Sequence, residues 1–313
     1  MSATTTLPEL ERTAPVRHRP ALSYELFPAR SDVSFERLQE TIAHLEATGP
    51  DYVSVTSRAR HGNLARVIEV TEHVLAETSL RPLVHLTSIG STRAQLTTII
   101  HALLDRGVRG ILALRGDQPE GHRLEDDEVP FARPLIELIR DIERERTATL
   151  AGGRVSIGVA AYPLRHPESP TTSHDTEVLV AKEKAGADFA ITQVFFEPSV
   201  YCGLLARAEE AGIRMPIVPG LVPATNPRRL ERLAAISGVE APRELLHQLE
   251  IASDEVERRR IGVRFTVDLA RRVLDAGAPG LHLYTFNSHA DALDVLDHLD
   301  LDRWSATPQG DAR

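Results

Sequence analysis

The stretch Gly110-Ile-Leu-Ala-Leu-Arg-Gly-Asp117 passes from aliphatic side chains to a cation, a glycine and a carboxylate with no residue between. The apolar run is too short for a helix, and the helical pattern before it stops at Gly107, so it reads as a buried parallel strand. Its carboxyl end delivers Arg115 and Asp117. In folds made of parallel strands the loops after the strands converge at that end and carry the chemistry, while the opposite end serves stability.

Working outward, comparable β-like runs occur at 22–27, 52–56, 83–87, 155–161, 189–195, 217–219 and 281–286. Between them lie segments of helical period at 35–45, 64–76, 94–104, 134–145, 177–185 and 200–211. Ser34 is placed to cap the first of these, and Gly107, Gly186 and Gly212 close three others. The connection before the last strand is longer and holds helical runs at 227–236, 242–251 and 255–276, with no linker-like composition around them. Strict alternation ending at the eighth strand predicts an α/β fold, a (β/α)8 TIM barrel with extra helices between strands 7 and 8. Residues 1–20 and 304–313 lack apolar periodicity and read as flexible tails, leaving 21–303 as a single barrel domain.

The bulk properties agree. A chain of 313 residues is ample for a closed barrel, which typically needs about 250. With 42% hydrophobic but only 4% aromatic residues, the core should be aliphatic. A net charge of −9 speaks against nucleic acid as partner, because such binders carry a basic face that replaces phosphate counterions. It does not speak against a small anion held by local arginines. Cys202 is the sole cysteine, which excludes an intramolecular disulfide and suits a reducing, cytoplasmic setting. Neither a signal-peptide core nor eighteen uninterrupted apolar residues is present, so neither export nor a membrane partner is expected.

Polar residues collect at the predicted carboxyl ends: Glu25, Thr56, Thr87, Arg115, Asp117, Tyr162, Gln193, Tyr284 and Asn287. In Ser23-Tyr24-Glu25-Leu26-Phe27 the period of two puts Ser23, Glu25 and Phe27 on one face. A carboxyl inside such a strand is desolvated, which raises its pKa and suits a general acid near neutrality. A structural glutamate paired with an arginine is the other reading. Asp117 is either a turn residue or an acceptor for a polar heterocycle, with Gly116 permitting close backbone approach. Ala160 and Ala161 leave room beside the flat surface of Tyr162, or simply pack the barrel top. His166-Pro-Glu168 and His174-Asp175 lack a recurring ligand spacing such as His-Glu-x-x-His, so no metal is expected. Lys182 is solvated or reaches a diphosphate; it and Lys184 are the only lysines. No Gly-x-Gly-x-x-Gly fingerprint points to a dinucleotide fold.

From about 22 to 299 these residues resemble the methylenetetrahydrofolate reductase family, bacterial single-domain type. The resemblance rests on Ser-Tyr-Glu-Leu-Phe-Pro at 23–28, Asp-Tyr-Val-Ser-Val-Thr at 51–56, His-Leu-Thr at 85–87, Ala-Leu-Arg-Gly-Asp at 113–117 and Val-Ala-Ala-Tyr-Pro at 159–163. His-Pro-Glu at 166–168, Ala-Gly-Ala-Asp-Phe-Ala-Ile-Thr-Gln at 185–193, Pro-Gly at 219–220 and Tyr-Thr-Phe-Asn at 284–287 complete it.

The resemblance implies a barrel that holds FAD and reduces 5,10-methylenetetrahydrofolate to 5-methyltetrahydrofolate with NADH or NADPH, a step of one-carbon metabolism that feeds methionine biosynthesis. It implies Glu25 and Asp117 as catalytic residues, Glu25 protonating the folate N10. Thr56, His85, Arg115, Gly116, Asp117, Phe131, Ala132, Ala160, Tyr162, His166, Asp175 and Lys182 would contact the flavin. Ser23, Glu25, Gln193 and Tyr284 would hold substrate. Four positions depart from the family pattern: Ser57 and Phe131 stand where it carries tyrosine, Leu233 where it carries an aromatic that stacks on ligand, and Ser288 where it carries arginine. After Ser57 the chain continues Arg58-Ala-Arg-His-Gly62 in place of a Gly/Ser-rich loop. Three functions therefore stay open: the flavin-dependent reductase, a flavin-independent enzyme passing hydride directly from NAD(P)H to a methylene-pterin, and a non-catalytic flavin- or folate-binding paralogue. NADH against NADPH and a homo-oligomer are likewise open.

Overall fold

The strand Gly110–Leu114 (β4) pairs in parallel on both flanks, Leu112 lying opposite His85 on one side and Gly158 on the other. The same parallel pairing runs through β1 (Ala21–Leu26), β2 (Tyr52–Val55), β3 (Pro82–Thr87), β5 (Ser156–Ala161), β6 (Phe189–Thr192), β7 (Ile217–Val218), β8 (Gly220–Leu221) and β9 (Gly280–Tyr284). The sheet order is β7-β6-β5-β4-β3-β2-β1-β9-β8. The computed structural model describes residues 19–57, 64–117, 124, 126–150 and 153–305. Residues 1–18 and 306–313, where tails were expected, and 58–62 after Ser57 lie outside the described residues.

The expected stave at 217–219 is two short strands. β7 pairs with β6, β8 pairs with β9, and the sheet returns on itself across Pro219. Proline has no N–H for the ladder, so a continuous strand is interrupted there. Its carbonyl still accepts from His282 N at 3.0 Å, and Gly220 N donates to Thr192 Oγ1 at 2.9 Å.

Alternation along the strands sorts the side chains. Tyr24, Leu26, Val53, Val55, Ile111 and Ala113 face the helices and are fully buried in the main aliphatic core. Leu83, Leu112 and Ile191 pack inside the barrel with Tyr52, Leu114 and Phe189. Gly158 makes room for them: a Cβ there would lie 2.8 Å from Phe189 Cζ and 2.9 Å from Leu112 Cδ1.

Helices α1 (Asp32–Glu46), α2 (Leu64–Glu77), α3 (Arg93–Asp105), α4 (Ala132–Glu145), α5 (Thr172–Ala185) and α6 (Pro198–Glu210) fill the connections. Several start earlier than their apolar period. Ser31, not Ser34, is the N-cap of α1: its backbone is extended, its side chain accepts from Ser34 N, and Ser34 Oγ accepts from Ser31 N at 2.9 Å. Ser34 thus completes a capping box from inside the helix. Thr171 caps α5, which puts Asp175 in its first turn. Between β8 and β9 lie α7 (Pro227–Ser237), α8 (Arg243–Ile251) and α9 (Glu255–Asp275), the extra helices expected there. Leu230, Leu245 and Leu249 close over Val194, Phe196 and Val222, and Leu233 packs against this second cluster. A short α10 (His289–Asp297) was not read in the sequence. Trp304, at the start of the expected C-terminal tail, packs on the core and donates from Nε1 to Asp275 Oδ1 at 2.8 Å. No helix among the described residues is long and apolar enough to cross a membrane.

Candidate active site

Strand β1 carries Ser23 and Glu25 into the barrel. Ser23 Oγ is 2.8 Å from His282 Nδ1, and His282 stacks on Tyr52 at 6.2 Å. Glu25 Oε2 lies 3.8 Å from His85 Nε2, with 12% of the glutamate side chain and 7% of the histidine exposed. Burial pushes the Glu25 carboxyl up to about 8. Burial drives His85 down to about 4, and burial with His85 nearby drives His282 to about 3. The pair is therefore a neutral carboxylic acid beside a neutral imidazole at pH 7, not an ion pair. No arginine pairs with Glu25 among the described residues, so the structural alternative weighed from the sequence is absent here. Two atoms beside the acid, His85 Nε2 and Thr56 Oγ1, are buried without a hydrogen-bond partner. Orphans of this kind cost roughly 1–3 kcal/mol each unless a ligand satisfies them.

These shifts have a signed consequence for stability. Glu25 keeps its proton up to about 8 when folded but releases it near 4.5 when unfolded, so its contribution is lost as pH rises between those values. The full shift corresponds to on the order of 3–5 kcal/mol. His85 and His282 act oppositely, their contribution being lost as pH falls below 6.5. Urea unfolding of Glu25→Gln should therefore show a gain over wild type at pH 8 that shrinks towards zero at pH 5. An equal difference at both values would mean that the carboxyl is not held neutral.

Beside the barrel mouth is a cavity of about 860 Å³ between the ends of β4 and β5 and the helices α4 and α5. Arg115, Gly116, Asp117, Phe131, Ala132, Ala160, Tyr162, His166, Asp175 and Lys182 all line it. Thr56 and His85 are not on its walls and sit with Glu25 instead. Leu114 both lines the cavity and packs against the barrel interior, so the two regions adjoin.

Gly116 is required at its place. Its φ is +85°, and a Cβ would lie 3.0 Å from Ile89 Cγ2 and 3.1 Å from Thr87 Cβ. Asp117 follows it, exposed. Arg115 grips Glu168 with both terminal nitrogens, Nη2 donating to Oε1 at 2.8 Å. Lys182 Nζ donates to Ala160 O at 2.8 Å, and burial lowers it to about 8. Asp175 accepts from His166 N at 2.9 Å and from the Ser169 hydroxyl, while His166 Nδ1 accepts from Glu168 N at 3.1 Å. His166, Glu168 and Asp175 thus tie the 166–169 turn to α5. Burial raises Tyr162 and lowers His166, whose rings meet edge-on at 4.5 Å.

The substrate candidates diverge. Tyr284 faces inward, its hydroxyl donating to Thr192 O at 2.7 Å, and burial with Glu25 nearby raises it well above its ordinary value. Gln193, at the end of β6, folds its Oε1 back onto Val194 N at 2.9 Å. Asn287 is occupied with backbone, bonding both Phe27 N and Phe27 O. The Arg115–Glu168 pair was not read in the sequence. Its members are 53 residues apart, and no local pattern links them.

A parallel barrel with a protonated acid inside and a cation-lined cavity at its carboxyl rim defines a small-molecule enzyme or binding protein of the TIM-barrel class. The chain belongs to the methylenetetrahydrofolate reductase family, whose model matches residues 10–300. It is 32% identical over 275 residues to the 5,10-methylenetetrahydrofolate reductase of Pectobacterium carotovorum subsp. carotovorum, covering 88% of each chain. With the enzyme of that name from Escherichia coli K12 it shares 31% over 267 residues, 85% of this chain and 86% of the other. A probable methylenetetrahydrofolate reductase (NADPH) of Caenorhabditis elegans is 32% identical over 89% of this chain, which spans 42% of that longer protein. Among solved structures, an uncharacterized Clostridium thermocellum protein that binds two copies of 5-methyl-5,6,7,8-tetrahydrofolic acid shares the fold. Its TM-score is 0.61 at 14% identity, covering 91% of this chain and 94% of that one.

Proposed function

We propose that this protein reduces 5,10-methylenetetrahydrofolate to 5-methyltetrahydrofolate, using FAD and NADH or NADPH, in the cytoplasm. The observation that carries the reading is Glu25, a carboxyl kept protonated near neutrality inside a barrel of this family. In that state it can deliver a proton to N10 of the substrate, opening the five-membered ring to an electrophilic iminium at N5. Asp117, a carboxylate at the rim, would stabilise that cation as it forms. Ser23, Gln193 and Tyr284 would orient the pterin.

The residues present fit a flavin dinucleotide. A cavity of about 860 Å³ is large enough for one. Arg115 and Lys182 supply cations for a diphosphate and Gly116 lets the chain approach closely, while the orphaned His85 Nε2 and Thr56 Oγ1 in the adjoining barrel interior would meet a ring that reaches past Leu114. When bound, FAD would take hydride from the nicotinamide and pass it to the methylene carbon. Phe131, exposed at the cavity wall, would cover the adenine side, with Ala132, Ala160 and Tyr162 walling the ring and His166 and Asp175 holding the turn beneath it.

The purified protein should be yellow. Serine at 57 in place of a large aromatic costs on the order of 1–2 kcal/mol of buried contact, so flavin should leave on dilution and rebind stoichiometrically. Arg115→Ala and Lys182→Ala should each weaken FAD by about ten- to a hundredfold, since a charge-assisted hydrogen bond contributes roughly 1.5–3 kcal/mol. Quenching of flavin fluorescence on titration with apoprotein measures this. A colourless protein that reduces the folate with NAD(P)H and gains nothing from added FAD would instead establish direct hydride transfer.

A further inference from the structure

Two buried hydroxyls inside the barrel have no part in the chemistry above. On β2, Val53 and Val55 face the helices, so Tyr52 and Ser54, with Thr56 just past the strand's end, share the inner face. Strand pairing sets Tyr52 opposite Ser23 and Ser54 opposite Glu25. The hydroxyls of Tyr52, Ser54 and Thr56 are all buried without a hydrogen-bond partner among the described residues. Thr56 stands highest of the three and, with His85, borders the space that a flavin ring would enter. Ser54 is level with the acid, and Tyr52 lies one inner position nearer the barrel floor, below a ring held at the mouth.

Internal water is what ordinarily satisfies buried hydroxyls of this kind. Inner-face side chains two apart on one strand stand roughly 6.6 Å from each other, too far for a direct hydrogen bond. Leaning along the strand brings them within the span of one bridging water. The polar row continues downward: Ser23 Oγ is 2.8 Å from His282 Nδ1, and the Tyr52 ring stacks on His282. Tyr52 opens β2 at the floor of the barrel, is partly exposed, and follows the exposed Asp51. A line of hydroxyls therefore runs from the floor to the acid, through an interior lined by Leu83, Leu112, Ile191 and Phe189.

The proposed reaction calls for such a line. Its product keeps on N10 the proton that Glu25 gives up, so each turnover leaves a carboxylate that must be reloaded. We propose that Tyr52 and Ser54, through water bound between them, relay protons from the barrel floor to Glu25. The proposal rests on the folate reading above. Each hydroxyl passes its own proton forward as it accepts one from behind. Only O–H bonds are exchanged, no relay group keeps a charge, and solvent replaces the proton taken by the folate. Tyr52 and Ser54 act through Glu25 and do not touch the substrate.

The test uses the full chain supplied with FAD and the pair Ser54→Val and Ser54→Thr, which share one shape and differ in whether the hydroxyl is kept. On mixing with heavy water, the infrared carbonyl band of the neutral Glu25 carboxyl, assigned by its loss in Glu25→Gln, should shift at least about tenfold more slowly in the Val variant than in the Thr variant. When reduced enzyme meets methylenetetrahydrofolate, the first turnover of the two variants should be alike, because Glu25 starts protonated. Later turnovers of Ser54→Val should fall behind by about the same factor as the exchange. Tyr52→Phe should slow exchange as Ser54→Val does, and it decides the matter if the valine prevents folding. Equal exchange with and without the hydroxyl would overturn the proposal, since the acid would then reload through the mouth. So would a first turnover slowed as much as the later ones, which would make Ser54 a structural residue. Absence of folate turnover in every form would sink the reductase reading, while the exchange rates would still decide the relay.

Discussion

Glu25→Gln is expected to lower methylenetetrahydrofolate turnover by about 10²–10⁴-fold, while oxidation of NAD(P)H by an artificial electron acceptor stays near the wild-type rate. The asymmetry follows from where the acid sits. Glu25 is inside the barrel with His85 and His282, whereas Arg115, Lys182 and Tyr162 line the separate cavity. The amide keeps the shape of the carboxyl but cannot deliver a proton, so the half-reaction that needs an iminium fails and the other does not. Wild-type folate turnover should in turn fall as pH rises past about 8, where the carboxyl ionises. A Gln variant retaining more than about a tenth of the folate activity would rule out the acid role. So would a wild-type rate that climbs through pH 8.

Gly220→Ala should destabilise the protein by about 3 kcal/mol or prevent folding, at the top of the range for overpacking. A Cβ at this position would run into the Thr192 carbonyl and lie 2.6 Å from Tyr284 Cε2. The carbonyl is backbone and cannot yield, and it also accepts the Tyr284 hydroxyl. The substitution therefore strikes barrel closure and a substrate candidate together. Gly203→Ala in α6 serves as the control, since its nearest neighbour is the flexible end of Arg207 at 3.3 Å. It should gain up to about 1 kcal/mol from helix propensity. Urea unfolding monitored by circular dichroism compares them, and a Gly220→Ala protein as stable as wild type would mean that the strand relaxes.

The sequence makes the staves legible because buried parallel strands are short aliphatic runs ending in polar residues, as at Gly110–Leu114. Its period of two also puts Ser23 and Glu25 together on the inner face. Helix starts are less legible, since a capping residue such as Ser31 or Thr171 precedes the apolar period by several positions. The break at Pro219 is visible as a proline, but which neighbour each half pairs with depends on contacts across the ring. Partnerships such as Arg115 with Glu168, or Arg229 with Phe286 and Asp291, join residues distant in the chain and leave no periodic trace. The division of the candidate residues between the barrel interior and the lateral cavity is invisible for the same reason. Thr56 and Arg115 both stand at strand ends, yet only one of them reaches the cavity wall.

The split stave gives the barrel an uneven compliance. Seven staves are each hydrogen-bonded along continuous strands, but the seam at 217–221 is held by two dipeptides, each tied to a different neighbour. Segments with so few ladder bonds open at the lower end of a protein's range of local free energies. Gln193 and Tyr284 stand at the ends of the strands flanking this seam, while Arg115 and Lys182 follow the fully laddered strands β4 and β5. The seam is therefore the stretch of the barrel wall with the fewest ladder bonds, beside the substrate candidates rather than the cations of the cavity.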